Sequence, residues 1–318
     1  MTDERSEAPK RRIPIFVIAG PTATGKTDLA VAAAQALDAE IVGADSMQVY
    51  RHMNIGTATP TLDELRGIPH HMIDIVNPDE TYDVAAYIAQ ADKVITRIAA
   101  GGRRVLLVGG TGLYIRVLLH GLQAGPPPDP VLRDEITAKA KELGWPALHM
   151  ELADLDPETA RRLHPNDGVR ILRALEVVRQ SGVPISRWQD DHAFEEDRYQ
   201  AAIVGLDQPR DLLHARINDR VDGMIRGGFA SEVESLIEAG YPSSLKPMQA
   251  LGYKRLCEHM AGDLSMDEAI EKTKTDTRRL ARRQRKWFNR EPGLEWIDPT
   301  ANRIIEVAAE FFDKAEAK

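Results

Sequence analysis

The stretch IFVIA-GPTATGKT-DLAVAAAQAL, residues 15–37, decides the fold. Its middle eight residues, 20–27, match the phosphate-binding P-loop pattern at every fixed position. An apolar run precedes them and an alanine-rich, helix-forming stretch follows, which is the strand–turn–helix setting the motif requires. Glycine frees the backbone to wrap an anion so that several N–H groups point inward. The following helix adds the positive end of its dipole. Lys26 supplies a point charge for an outer phosphate, and Thr27 a hydroxyl for a bound magnesium. The pattern places the chain in the nucleotide-binding, ATP-binding class of loops and predicts that it handles a di- or triphosphate.

Composition narrows the rest. The chain has 318 residues, 43% hydrophobic and 28% charged, which is ordinary for a soluble globular protein. Its single cysteine, Cys257, excludes an intramolecular disulfide framework and a cysteine-cluster zinc site, and suits a reducing cytosol. Apolar runs are too short for a membrane span, so no membrane partner is expected. Residues 1–12 are charged and lack an apolar core, which reads as a disordered leader and not an export signal. The net charge of −8 argues against a general nucleic-acid binder, yet residues 278–290 carry seven Lys or Arg and no acid. Screening limits the reach of distant charge to about 8–10 Å, so a local basic face can still grip RNA.

Strand and helix signals alternate over the first 125 residues. Short apolar runs occur at 15–19, 40–44, 72–76 and 104–108, with a helical pattern at 84–100. This predicts an α/β fold: a P-loop parallel sheet with helices on both faces. Ligands in such sheets sit at the carboxyl ends of strands. The P-loop, Asp45 and GGTG at 109–112 all fall at such ends and converge on one crevice. GPPPDP at 125–130 is a stiff breaker. Residues 126–200 read as a helical insertion, after which 201–206 resumes the sheet and the C-terminal region is largely helical. The core is thus expected from 13–125 and 201–318, with loops at 240–252 and 291–299.

Several residues carry chemistry. Asp45 at the end of a buried strand can help hold magnesium, act as a general base, or cap a helix. Thr111 can donate to a phosphate oxygen or cap the next helix. Arg216 and Arg220, four apart on a helix, share a face and can clamp a phosphate or form a solvated, salt-bridged surface. Arg279, Arg282, Arg283, Lys286 and Arg290 make a basic stripe opposite Leu280, Gln284, Trp287 and Phe288. That stripe suits the RNA backbone, or a charged surface. His70 and His71 are neighbours and point to different faces, a poor metal pair.

The motifs together resemble the bacterial tRNA dimethylallyltransferases, also called isopentenyl-tRNA transferases. The likeness spans residues 15–298 and rests on GPTATGKT at 20–27, DSMQVYRHMNIGTATP at 45–60, PHHMID at 69–74, VGGTGLYIRVLLHGL at 108–122, HPNDGVRILRALEV at 164–177, QALGYK at 249–254 and TRRLARRQRKWF at 277–288. The resemblance implies transfer of the dimethylallyl group of dimethylallyl diphosphate to the exocyclic amine of the adenine just 3′ of the anticodon, with magnesium as cofactor. It implies that Gly20, Pro21, Thr22, Ala23, Thr24, Gly25, Lys26 and Thr27 hold the diphosphate, with Thr27 also at the metal. It implies a catalytic set of Asp45 as general base with Thr111 and Arg220 at the diphosphate. Asp45, Ser46, Met47, Gln48, Thr111, Arg133, Val169, Arg170, Ile171, Leu172, Arg173, Gln249, Ala250, Leu251, Gly252, Tyr253 and Lys254 match positions that contact tRNA. The basic stripe Arg279, Arg282, Arg283 and Lys286 joins them, and the insertion 126–200 corresponds to a grip on the anticodon stem. A cytoplasmic monomer is expected.

Two positions depart from the family pattern: Thr24 for a frequent Ser, and Thr59 for a usual Lys, which removes any phosphate contact that lysine makes. A P-loop kinase shares the first motif but needs neither the insertion nor the basic helix. An adenylate isopentenyltransferase acting on free AMP or ADP lacks the full C-terminal region. A non-catalytic RNA-binding module needs no convergence of Asp45, Lys26 and Thr111.

Overall fold

The computed structural model describes residues 12–121, 125–192 and 197–317; the expected leader, Arg12 apart, lies outside them. The chain divides into two compact units, one running up to Leu119 and again from Arg198, the other His120–Asp197. The helical unit therefore begins six residues before the breaker at 126 and ends three residues before 200.

The first unit is built on a parallel sheet of order β3-β2-β4-β1-β5-β6. Its strands are β1 (Pro14–Ala19), β2 (Ala39–Gly43), β3 (His70–His71), β4 (Arg104–Gly109), β5 (Gln200–Leu206) and β6 (Leu294–Ile297). Helices α1 (Lys26–Leu37), α2 (Leu62–Leu65), α3 (Val84–Ala100) and α4 (Gly112–His120) follow the early strands. β1 lies between β4 and β5, in register Val17 with Leu107 on one side and with Ile203 on the other. Strand side chains alternate faces, and both faces of β1 are covered. Ile15, Val17 and Ala19 join one core with α3 and α4, while Phe16 and Ile18 join the other with α1. This is why β1 reads as a continuous apolar run and not an alternating one.

Two strand expectations need correction. The apolar run at 72–76 is not the third strand. Met72 and Asp74 adopt left-handed backbone, with φ of 67° and 52°, which an extended strand cannot accommodate. Pairing is confined to His70–His71 against β2, and Val76 instead bridges Tyr50. The region 291–299 is not only loop, since β6 pairs with β5 there. Four residues at a sheet edge leave too short a pattern to read.

The second unit comprises α5 (Pro130–Leu143), α6 (Trp145–Leu155), α7 (Pro157–Arg162), α8 (Gly168–Ser181) and α9 (Ile185–His192). Ile136, Leu148, Leu152, Ile171 and Leu175 form its core. Glu176 is fully buried within it. Arg133 grips Glu176 through Nε and Nη2 at 2.8 and 3.1 Å, Arg173 donates at 2.7 Å and the Asp129 amide at 2.8 Å. Arg133 and Arg173 are therefore committed to an internal carboxylate, and Ile171 to the core. Val169 and Arg170 at the start of α8 are the exposed members of that segment, at 83% for Val169 and 68% for the Arg170 side chain.

The first unit resumes at Arg198 with β5, followed by α10 (Arg210–Arg226), α11 (Phe229–Glu238), α12 (Tyr253–Met260), α13 (Met266–Phe288) and α14 (Ala301–Glu316). No helix among the described residues is long and apolar enough to cross a membrane.

Burial raises the pKa of Glu176, and the two arginines and the Asp129 amide more than offset that, leaving it below the ordinary carboxylate value. A carboxylate with a depressed native pKa contributes stability above its unfolded pKa and loses it as pH falls through the native one. Glu176→Gln should cost about 3 kcal/mol at neutral pH, because two cations keep their place without their anion. The deficit should shrink in acid. Thermal unfolding of both proteins across pH checks it.

Candidate active site

The sheet is parallel, so the loops after β1, β2 and β4 share one edge. The loop after β1 turns at Gly20, φ 139°, and enters α1 through Gly25, φ 88°. A side chain at Gly20 would press on the Leu206 backbone at 3.2 Å, so the close approach requires glycine. The Thr24 hydroxyl, buried, donates to the Pro21 carbonyl at 2.9 Å and stiffens the turn. Lys26 Nζ folds back onto the carbonyls of Gly20 and Pro21 at 2.9 and 2.6 Å. Burial, helped by the nearby Arg220 charge and opposed by Asp45, lowers its pKa to about 7.

Asp45 follows β2. Its Oδ1 accepts from the Met47 and Gln48 amides at 2.8 and 3.4 Å. It therefore caps a turn, not the helix that its position in the sequence allows, and also lines the cleft. Thr111 follows β4, and its hydroxyl accepts from the Ser46 amide at 3.0 Å instead of capping α4. The loops after β2 and β4 are thereby tied together. A side chain at Gly109 would overlap the Ala44 backbone, so these loops meet without space for one.

Two cavities open on this edge. One, of about 320 Å³, is lined by the P-loop residues Thr22, Ala23, Gly25, Lys26 and Thr27 with Asp45, Gln48, Thr59 and Arg220. The other, of about 410 Å³, is more apolar, with Met47, Met224, Phe229, Leu251, Tyr253 and Leu280 beside Ser46 and Thr111. Both include Thr22, Asp45, Gly110, Arg220 and Gln284. Arg220 faces the cleft from α10, and desolvation lowers its pKa against the opposing pull of Asp28 and Glu64. Arg216, one turn earlier, is exposed and lines neither cavity, so the expected two-arginine clamp is reduced to Arg220. Thr59 lines the first cavity, and its hydroxyl lies 2.8 Å from that of Thr57.

The basic helix reaches the same place. Gln284 on α13 accepts from the Thr22 amide at 2.9 Å and donates to the Gly110 carbonyl at 3.0 Å. Trp287 packs where a side chain on Gly112 would stand, with Arg116 stacked 4.8 Å over its ring. Arg279, Arg282, Arg283 and Lys286 are exposed, and Arg283 also borders the apolar chamber beside Leu280 and Gln284. Arg279 is drawn to Asp276 at 3.2 Å. The helix ends at Phe288, so Arg290 lies past it. Arg279 and Arg283 line a further cleft of about 230 Å³ with Gln249, Ala250, Leu251, Gly252 and Lys254. The QALGYK segment and the stripe thus meet, although Gly252 and Tyr253 are themselves buried. Sequence reasoning assigned Gln284 only to the packing face. A lone amide among arginines carries no signal of the loops it joins.

A glycine-rich loop of P-loop sequence, a carboxylate after the neighbouring strand and an apolar chamber beside them make up one cleft at this edge of the sheet. Residues 48–291 match the family model described as IPP transferase. The chain is 50% identical over 286 residues to a tRNA dimethylallyltransferase of Syntrophobacter fumaroxidans, covering 90% of this chain and 84% of that one. It is 47% identical over 300 residues to one of Geobacter sulfurreducens, covering 94% and 96%. Among solved structures, the full-length tRNA isopentenylpyrophosphate transferase of Bacillus halodurans superposes with TM-score 0.71 at 37% identity, over 96% of this chain and 97% of that one. A eukaryotic dimethylallyltransferase acting on tRNA gives TM-score 0.81 at 26% identity, over 95% and 80%. The chain belongs to the tRNA dimethylallyltransferase family, whose members are prenyltransferases.

Proposed function

We propose that this chain transfers the dimethylallyl group of dimethylallyl diphosphate to the exocyclic amine of the adenine 3′ to the tRNA anticodon, position 37. The products are N6-dimethylallyladenosine and diphosphate. The observation that carries this reading is the sharing of Asp45 and Arg220 between the anion-loop cavity and the apolar chamber. A diphosphate seated on the loop would direct its prenyl carbon toward the chamber, where a flipped adenine can meet it.

The amine nitrogen forms a bond to the prenyl carbon as the carbon–oxygen bond to the diphosphate breaks. Negative charge grows on the leaving oxygen, and preorganised donors are worth most there. Loop amides, Lys26 and Arg220 supply them. The nitrogen becomes cationic and sheds a proton to Asp45, whose Oδ2 is not engaged by the turn that Oδ1 caps. Thr111 holds the Ser46 amide and so fixes the loop that carries Asp45.

Magnesium is the cofactor of this reading. Thr27 and Asp45 line the anion cavity and offer the hard oxygens that the ion prefers, with phosphate oxygens and water completing its shell. When bound the ion neutralises charge on the leaving group. Val169 and Arg170, the QALGYK segment and the stripe are the proposed tRNA contacts. The protein works as a monomer in the cytoplasm.

Incubation with labelled dimethylallyl diphosphate and tRNA, followed by nucleoside analysis, tests the reading. Label is expected in N6-dimethylallyladenosine; label absent from the tRNA refutes it. In the same assay Asp45→Asn should lower the single-turnover rate by about 10²–10⁴-fold while pyrophosphate binding persists.

Lys26 makes the site pH-dependent. Its protonated form binds an anion, and the empty site titrates at about 7. Pyrophosphate affinity, taken relative to Lys26→Ala to remove the ligand's own titration, should be full below pH 7. It should fall by about tenfold per pH unit above it, until the raised pKa of the bound state is reached. Calorimetry from pH 6 to 9 measures it.

A further inference from the structure

Residues 54–60 form a loop that walls both cavities. Asn54, Thr57 and Thr59 line the anion side, and Gly56 lines the apolar chamber. The loop is tightly wound: the Thr59 amide bonds the Asn54 carbonyl at 2.9 Å, and Ala58 takes a left-handed φ of 54°. A glycine is required at 56, because a side chain there would overlap the rings of Phe229 and Tyr253. A wall of this kind has no regular hydrogen-bond ladder of its own. Its shape depends on what holds it.

One carboxylate does most of that. Glu232 on α11 accepts from three consecutive amides of the loop, Asn54 at 2.8 Å, Ile55 at 2.7 Å and Gly56 at 3.1 Å. It also accepts from the Tyr253 hydroxyl at 2.6 Å. Burial and the Glu232 charge push the Tyr253 phenol far above its usual pKa, so it remains a donor. Tyr253 belongs to the QALGYK segment at the basic cleft. Across the loop, the Gln48 amide donates to the Thr57 and Ala58 carbonyls at 3.2 and 3.1 Å. Glu232 therefore links the wall of the donor site to the segment beside the basic stripe.

We infer that Glu232 is a positioning residue for transfer: its carboxylate fixes the 54–60 wall against the QALGYK segment, so that donor and adenine meet in reacting geometry. Glu232 itself lines neither cavity and acts through the residues it bonds, so it has no direct part in holding the diphosphate. Its effect belongs to the transfer step, where a misplacement near 1 Å costs about 10²-fold. The inference rests on the function proposed above.

Glu232→Gln keeps the size and removes the charge that three amides and a phenol share. The expected result is a fall of about 10²-fold in single-turnover transfer per folded molecule, with donor KM and pyrophosphate affinity within about twofold of wild type. Folded protein is counted by pyrophosphate stoichiometry, so a stability loss does not enter the rate. Tyr253→Phe removes one of the four bonds and leaves the amide clamp. It should lower the same rate by about two- to tenfold, and it carries the test if Glu232→Gln does not fold. A wild-type rate per folded molecule in the variant that folds overturns the inference, as does a loss confined to donor KM. If the wild-type protein itself transfers nothing, the functional reading fails instead.

Discussion

The amide of Gln284 joins the two glycine-rich loops that leave the paired strands β1 and β4. It accepts from the P-loop at Thr22 and donates to Gly110 after β4. Each bond is worth roughly 1 kcal/mol. Their importance is geometric, because the anion site on one loop and the Thr111–Ser46–Asp45 chain on the other must face each other for chemistry. The helix that supplies Gln284 is the one that exposes the basic stripe, so docking α13 places that stripe beside the cleft.

Charge is organised the same way. On a chain with net charge −8, some cations face the cleft or the exposed side of α13 while others are held by carboxylates. Arg133 and Arg173 are held by buried Glu176, and Arg255 by Asp276 and Glu258. Arg220 and Lys26 are left in the cleft at a desolvation cost, seen in the lowered pKa of each. An arriving anion relieves that cost, which is how an empty site can be unstable in charge and selective in ligand.

Much of this was legible in the sequence because strand period and loop chemistry are local. Residues 15–37 specified β1, the loop and α1, and the helical pattern at 84–100 coincides with α3. Asp45 and Arg220 line both cavities, Lys26 and Thr27 the first alone and Thr111 the second alone. What escaped depends on contacts distant in sequence. The carboxylate of Glu232 meets amides some 176 residues away, and Gln284 reaches Thr22 across 262. No spacing rule connects them. Arg133, Arg173 and Arg216 show the converse: their positions matched a ligand-contact pattern, but Arg133 and Arg173 pair with buried Glu176 and Arg216 lines neither cavity.

The division of α13 into an inward amide face and an outward basic face is the claim on which the rest turns. It is tested most directly by replacing Arg282, Arg283 and Lys286 with Gln and measuring tRNA and pyrophosphate binding across a salt series. The salt slope for tRNA should fall by roughly 0.7–0.9 for each lost phosphate contact, while pyrophosphate affinity stays within about twofold of wild type. A tRNA slope unchanged from wild type, or pyrophosphate binding lost together with tRNA binding, would contradict it.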